Sequence, residues 1–256
     1  MSDVGQNERA TQNRIVKLIS KKLGYKYLGD FQDRANNQNI EKEILKKWLL
    51  GRGISETLYT KIERQIDQAL ALGGGRKLYE ANKEFYTLLR YGVKDKENPN
   101  DKNKTVWLID WKNIDNNEFA IAEEVTIKGQ NTKRPDIVLY VNGIALAVLE
   151  LKRSSVGVTE GIRQNLDNQK ATFIRDFFTT IQLVMAGNDS QGLKYGTVET
   201  TEKYYLGWKE ENPDYNSKID TKDKKYLSAL ECGCDGEVVS GILDCDIIRL
   251  LNKKRF

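Results

Sequence analysis

The run "RPDIVLYVNGIALAVLELK", from Arg134 to Lys152, limits the possible folds of this chain more than any other stretch. Two segments rich in β-branched and aliphatic residues flank Asn142-Gly143, the strongest short-range signal for a two-residue hairpin turn. Such a pair is suited to burial, yet its open end carries Asp136 on one strand and Glu150 and Lys152 on the other. Glu150 and Lys152 lie two apart and share one face of their strand. A regular two-residue hairpin sets Asp136 opposite Leu149 and turns it to the other face. Asp136 meets Glu150 only if a bulge, at the turn or further along, shifts the register by one. That irregularity is expected here.

The remaining periodicities place this hairpin in an α/β chain. The first ninety residues read as helices. Residues 8–23 carry Ile15, Leu18, Ile19 and Leu23 at helical spacing, and residues 40–50 carry Ile44, Leu45, Trp48 and Leu49 on one face. Ser55 can cap a third helix through Leu72, and a fourth spans about 77–91. Gly73-Gly74-Gly75-Arg76-Lys77 lacks the spacing of a phosphate loop and follows a helix, so it reads as a helix stop. Residues 92–104 form a polar loop containing Pro99. Strand patterns then cover 118–127, 134–141 and 144–151, followed by a helix over about 158–176 with Thr159 as a possible cap, and by strands over 177–187 and 194–200. The expected division is a helical part, 1–95, and a catalytic α/β part, 105–256.

Composition removes several functional classes. The chain has no histidine, which excludes histidine triads and histidine acid–base chemistry. Cys232, Cys234 and Cys245 are an odd set without zinc-module spacing and read as reduced, unliganded thiols. No apolar run approaches the ~20 residues of a membrane span and no leader pattern opens the chain, so the cytoplasm is the expected location. The net charge of +4 allows contact with nucleic acid without requiring it.

Two carboxylates brought together beside a lysine repel one another unless a cation lies between them. Mg²⁺ suits that place because it prefers oxygen ligands and keeps several waters. A bound divalent ion polarises a phosphoryl oxygen and acidifies water, and Lys152 can stabilise the charge that develops. Metal-assisted phosphodiester hydrolysis needs no histidine. The plain alternative is a surface hairpin carrying an exposed ion pair.

Pro135-Asp136 followed by Glu150-Leu151-Lys152 is the PD-(D/E)xK nuclease pattern. Together with "LYEANKEFYTLLRYGV" (78–93) and the stretch 162–211, it makes the chain resemble the N-terminal nuclease region of the R (restriction) subunit of type I restriction–modification enzymes. The resemblance covers most of residues 8–256. It implies a restriction endonuclease-like core, a mixed central sheet flanked by helices with an N-terminal helical part. It implies Asp136 and Glu150 as Mg²⁺ ligands, Lys152 as the catalytic lysine and a further ligand in the Leu151 carbonyl. Gln164 matches the glutamine of a Q-x-x-x-Y motif whose tyrosine position is Asn168 here; a local cap or bridge on the helix is the other reading of Gln164. Glu8 resembles an upstream acidic position; the other reading is a first-turn glutamate favoured by the helix dipole.

The resemblance further implies cleavage of double-stranded DNA, assembly with modification (M) and specificity (S) subunits, and an ATP-driven translocase motor following the nuclease. No Walker pattern occurs in these 256 residues, so the chain is read as an N-terminal fragment that meets ATP only through missing motor domains. A repair nuclease of the RecB type and a non-enzymatic DNA-binding or docking module remain alternatives. Lys133-Arg134 and Lys152-Arg153 are candidate phosphate contacts. Lys253-Lys254-Arg255 reads as a solvated helix end, and Tyr204, Tyr205 and Trp208 as packing rather than base-stacking aromatics.

Overall fold

The computed structural model describes residues 8–208 and 242–253. Among these, nine strands and six α-helices form a mixed α/β architecture around one seven-stranded sheet. The helices are α1 (Glu8–Lys17), α2 (Lys42–Gly51), α3 (Glu56–Leu70), α4 (Leu78–Tyr91), α5 (Val158–Asn168) and α6 (Ile242–Leu250). The strands are β1 (Lys26–Asp30), β2 (Val93–Asp95), β3 (Lys104–Val106), β4 (Phe119–Glu123), β5 (Ile137–Val141), β6 (Ile144–Leu151), β7 (Leu183–Asn188), β8 (Gly192–Gly196) and β9 (Leu206–Gly207). The sheet order is β1-β4-β5-β6-β7-β8-β9, with β2 and β3 forming a separate antiparallel pair. β1 runs parallel to β4 and β7 parallel to β6, while the other neighbours are antiparallel.

The central strands β4, β5 and β6 are buried along their whole lengths because both faces of the sheet are covered. On one face Ile121, Ile137, Leu139, Leu149 and Leu151 pack with Ile15, Leu45, Ile62, Phe85 and Ile247 from the surrounding helices. On the other, Ala122, Val138, Tyr140, Val148 and Ala186 pack with Val158 and Ile162 of α5 and with Phe177 and Phe178. The alternation along β5 follows the pleat. On β6 it breaks once: Leu146 and Ala147 both belong to the first face, with Ala145 and Val148 on the second.

That break is the expected bulge. Val141 pairs with Ile144 and Tyr140 with Ala145, but Leu139 pairs with Ala147 and Ile137 with Leu149. The turn keeps two residues, and the extra residue lies further along the strand. One step beyond Ile137 and Leu149, Asp136 and Glu150 therefore stand side by side on the α5 face.

The Asn-Gly turn is itself a buried junction. Asn142 has φ +53° and is fully buried; its Oδ1 accepts from Glu118 N (2.8 Å) and its Nδ2 donates to Leu108 O and Asn117 Oδ1 (both 2.9 Å). Gly143, at φ +83°, admits no side chain, because a Cβ there would lie 2.8 Å from Glu41 O. Asn142→Ala strands three buried polar groups and is expected to lower unfolding free energy by about 3 kcal/mol. Urea denaturation measures this; a loss below about 1 kcal/mol would mean that the turn is held by the strands alone.

Several expected boundaries are corrected. The first ninety residues are not all helical, for β1 lies among them; its five residues are mostly exposed, carry a bulge between Tyr27 and Gly29, and offer no apolar alternation. α1 passes into a π-helical turn, Leu18–Lys22, before stopping at Gly24. The polar segment 92–104 contains β2 and the first residue of β3, leaving only its middle as loop. α5 ends at Asn168 rather than near 176, and a 3₁₀ turn at Arg175–Thr179 occupies the start of the expected strand, so that β7 begins at Leu183. β8 spans Gly192–Gly196 where a strand over 194–200 was expected. Thr159 does not cap α5: Gly157 holds the cap position, and the Val158 N–H donates to Gln191 Oε1 (2.7 Å). Ser55 does cap α3, accepting from Leu58 N (3.2 Å), and Gly73–Gly75 form a short 3₁₀ turn that ends the helical run.

Among the described residues, no helix is long and apolar enough to cross a membrane. Cys245 is buried on α6, while Cys232 and Cys234 lie outside the described residues.

Candidate active site

The end of β6 and the start of β5 open into a cleft of about 570 Å³. Asp136, Glu150, Lys152 and Gln164 all line it, and so does Glu8. The sheet brings the first three together through the bulge. α5 lies close against them at Gly161, where a Cβ would press on Ala186 Cβ at 3.1 Å and meet Lys152 Cγ and Glu150 Cγ in ordinary contact, at 3.5 and 3.6 Å. Gln164, one turn further along α5, reaches the same space. Asn168 is buried and lies outside the lining; its side-chain nitrogen and oxygen have no hydrogen-bond partner. The tyrosine position of the Q-x-x-x-Y comparison thus contributes nothing to the cleft wall.

Asp136 Oδ2 accepts the Leu151 N–H at 2.7 Å, which fixes its carboxylate against the end of β6. Lys152 Nζ donates to Glu150 Oε1 at 3.1 Å and lies 3.6 Å from Glu8 Oε1, so α1 adds a third carboxylate to the rim. Glu150 is 1% exposed, and its Oε2 is buried without a partner. Burial, reinforced by the charge of Asp136, pushes the Glu150 carboxyl well above the usual carboxylate range, against the pull of Lys152. Burial also raises Asp136 to about 6; the Leu151 N–H and Lys152 oppose the rise, and Glu8 and Glu124 add to it. Lys152 is pulled down by burial, but Glu150, Asp136 and Glu8 together outweigh this and leave its ammonium above the ordinary lysine value.

The arrangement is an all-oxygen site with too much negative charge for its depth. Among the described residues, no group of three or more His, Cys, Asp or Glu side chains is arranged to hold an ion. Two desolvated carboxylates, one with an unpartnered oxygen, nevertheless fit a hard divalent cation that takes its other ligands from backbone carbonyl and water.

Four residues at the site were not anticipated: Arg9, Gln12, Glu123 and Glu124. Gln12 Nε2 donates to Glu123 Oε2 (3.2 Å) and Asp136 O (3.4 Å). Glu124 accepts from Arg9 and is paired with Arg134. Two hints existed: Gln12 lies one helical turn after Glu8, and two acids interrupt an apolar strand at Glu123-Glu124. Of the basic clusters, Lys133 and Arg134 line the cleft and Arg153 does not. Lys253 donates to Gly24 O (2.7 Å), while Lys254 and Arg255 lie outside the described residues. Tyr205 is buried, Tyr204 is exposed, and Trp208 packs against Tyr195.

The family described as Type I restriction enzyme R protein N terminus matches residues 5–204. The chain is similar to the putative type I restriction enzyme MjaIXP endonuclease subunit of Methanocaldococcus jannaschii, 30% identical over 208 residues, which is 77% of this chain and 20% of that one. It is 27% identical over 159 residues to the type I restriction enzyme HindI endonuclease subunit of Haemophilus influenzae, covering 58% of this chain and 15% of that protein. A Staphylococcus aureus subunit, SauMSSORF170P, is 21% identical over 229 residues, 84% of this chain and 22% of its own length. The chain spans about a fifth of the length of the curated relatives it matches.

Proposed function

This chain belongs to the family of type I restriction enzyme R protein N termini, and we propose that it is the DNA-cutting part of a restriction endonuclease, hydrolysing phosphodiesters at Asp136, Glu150 and Lys152. The observation that carries the reading is the buried, unpartnered Oε2 of Glu150 beside Asp136, at a strand end that a bulge brings into register. A buried carboxylate oxygen left so calls for a ligand, an ion or a water to complete it.

Asp136 and Glu150 would hold Mg²⁺, and the core they sit on is read as PD-(D/E)xK. The Leu151 N–H faces β5, and in a strand the carbonyl of the same residue points the same way, which suits it as a third ligand. When bound, the ion would polarise the phosphodiester and acidify a water. Lys152, kept charged by its carboxylate neighbours, stabilises negative charge building on the phosphate. Gln164 orients the nucleophile or the backbone from the α5 side. Double-stranded DNA is the proposed substrate. Modification and specificity subunits and an ATP-driven motor would belong to the whole assembly.

Glu150→Gln tests this in the complete enzyme, because it keeps the shape and removes the charge. Double-strand cutting is expected to vanish while ATP hydrolysis and translocation persist. Retained cutting would move the chemistry elsewhere.

A further inference from the structure

Glu124 has no part in the chemistry above, yet it is held in an unusual way. It follows the last residue of β4 with φ +51°, a left-handed conformation that a non-glycine residue rarely adopts. Its N–H donates to Asp136 O (2.9 Å), so the strain is locked into the same strand start that carries Asp136. The carboxylate is nearly buried and lies between two guanidinium groups. Arg9 Nη1 reaches Glu124 Oε1 at 2.9 Å, and Arg134 Nε reaches Glu124 Oε2 at 2.7 Å. Arg9 is steadied further by Glu123 (3.5 Å) and Asp30 (3.6 Å).

Both arginines remain about half exposed, 47% and 46%, and both line the cleft that holds Asp136 and Glu150. Arg134 is held through Nε, which leaves its Nη pair to meet two oxygens of a phosphate in fork geometry. Lys133 Nζ, 4.3 Å from the centre of the Phe173 ring, lines the same wall. The wall thus presents fixed cations beside the carboxylate pair, where a strand being cut would continue.

We propose that Arg9 and Arg134, set as a pair by Glu124, bind a backbone phosphate of DNA next to the one that is cut, and that Glu124 is their positioning residue. The identity of the ligand rests on the nuclease reading; the built cation pair does not. A negative group near DNA ordinarily weakens binding. If Glu124 merely competes with phosphate for the arginines, removing its charge tightens binding. If it positions them, removing its charge loosens both and weakens binding. The two roles have opposite signs.

The test is binding of a short DNA duplex to this chain in EDTA, followed by fluorescence anisotropy across a salt series, so that no cutting is needed. Arg9→Ala and Arg134→Ala should each weaken binding by about tenfold at low salt and reduce the steepness of the log–log salt dependence by about one. Glu124→Gln should weaken binding by about three- to tenfold. Thermal unfolding checks its fold; should it not fold, the salt slopes of the two arginine variants decide. Tighter binding by Glu124→Gln, slopes unchanged by both arginine variants, or no binding by the parent chain overturns the assignment. Loss of cutting in Glu150→Gln alongside unchanged arginine slopes would retire this inference and leave the nuclease reading standing. The reverse pair of results would do the opposite.

Discussion

Asp136→Asn is expected to stabilise the metal-free chain by about 3 kcal/mol at pH 8 while removing DNA cutting. The folded-state value of about 6 against an ordinary 3.8 means that the native state holds the proton more tightly than the unfolded chain. Below about pH 4 the group is protonated in both states and has no effect. As pH rises from about 4 to about 6, the unfolded chain gives up its proton first, and stability is lost. At 1.36 kcal/mol per unit, the full loss is about 3 kcal/mol, shared in part with Glu150 through their mutual repulsion. Asparagine has nearly the same shape, can still accept the Leu151 N–H, and carries no charge to desolvate. Urea denaturation of both proteins should show equal stability at pH 4 and a gap that opens by pH 6–8. An asparagine variant no more stable than the parent at pH 8 would mean that the carboxylate is not strained by its burial. Stability gained with function lost is the mark of a group kept for a ligand rather than for the fold.

The hairpin and its charges were legible in the sequence because the relevant physics is local. A period-two pattern, an Asn-Gly turn and the spacing of Glu150 and Lys152 decide which residues share a face, and simple parity requires the bulge. Its place was not legible. Leu146 and Ala147 look like any other pair in an apolar run, and only the packing on both faces shows that they point the same way. β1 escaped because an edge strand with exposed residues needs no apolar alternation; its backbone pairing with β4 defines it. The helix expected over 158–176 outruns α5 because Phe173 and Ile174, beyond Asn168, continue the apolar helical spacing but lie in tight turns.

The rest of the site lies in contacts that sequence proximity cannot reveal. Arg9 and Glu124 are 115 residues apart and Gln12 and Glu123 are 111 apart. α1 reads as one more amphipathic helix, and its buried face includes Thr11 and Gln12 besides Ile15. A polar residue on a buried helix face is the signal that a partner of matching chemistry waits across the fold. Here the partner is the acidic end of β4, which places Glu8 within reach of Lys152.

Lys152→Ala should separate the two duties proposed for the amine, holding the site together and promoting the reaction. In the parent, the Lys152 ammonium is the cation 3.1 Å from a carboxylate that is otherwise buried. Removing one member of such a pair costs about 3–5 kcal/mol, because the other charge stays buried alone. Charges on Glu150, Asp136 and Glu8 outweigh burial and keep the lysine's value above its ordinary 10.5. On the lysine's own titration its contribution is complete at neutral pH and is lost as pH climbs through that raised value; protonation of the carboxylates it pairs with removes it at the acid end. The penalty in the alanine variant should thus be large at pH 8 and fade toward pH 4, as Asp136 and Glu150, both raised by burial, take up protons. Adding Mg²⁺ at pH 8 should recover much of that stability, since a divalent ion held by Asp136 and Glu150 replaces the missing positive charge and binds only the folded chain. Cutting should stay depressed on the order of a thousandfold, the scale of losing one charge-stabilising group in a transition state. Magnesium rescue of stability without rescue of cutting would place Lys152 in the reaction. Rescue of both would reduce it to a structural counter-charge, and rescue of neither would remove the metal from Asp136 and Glu150.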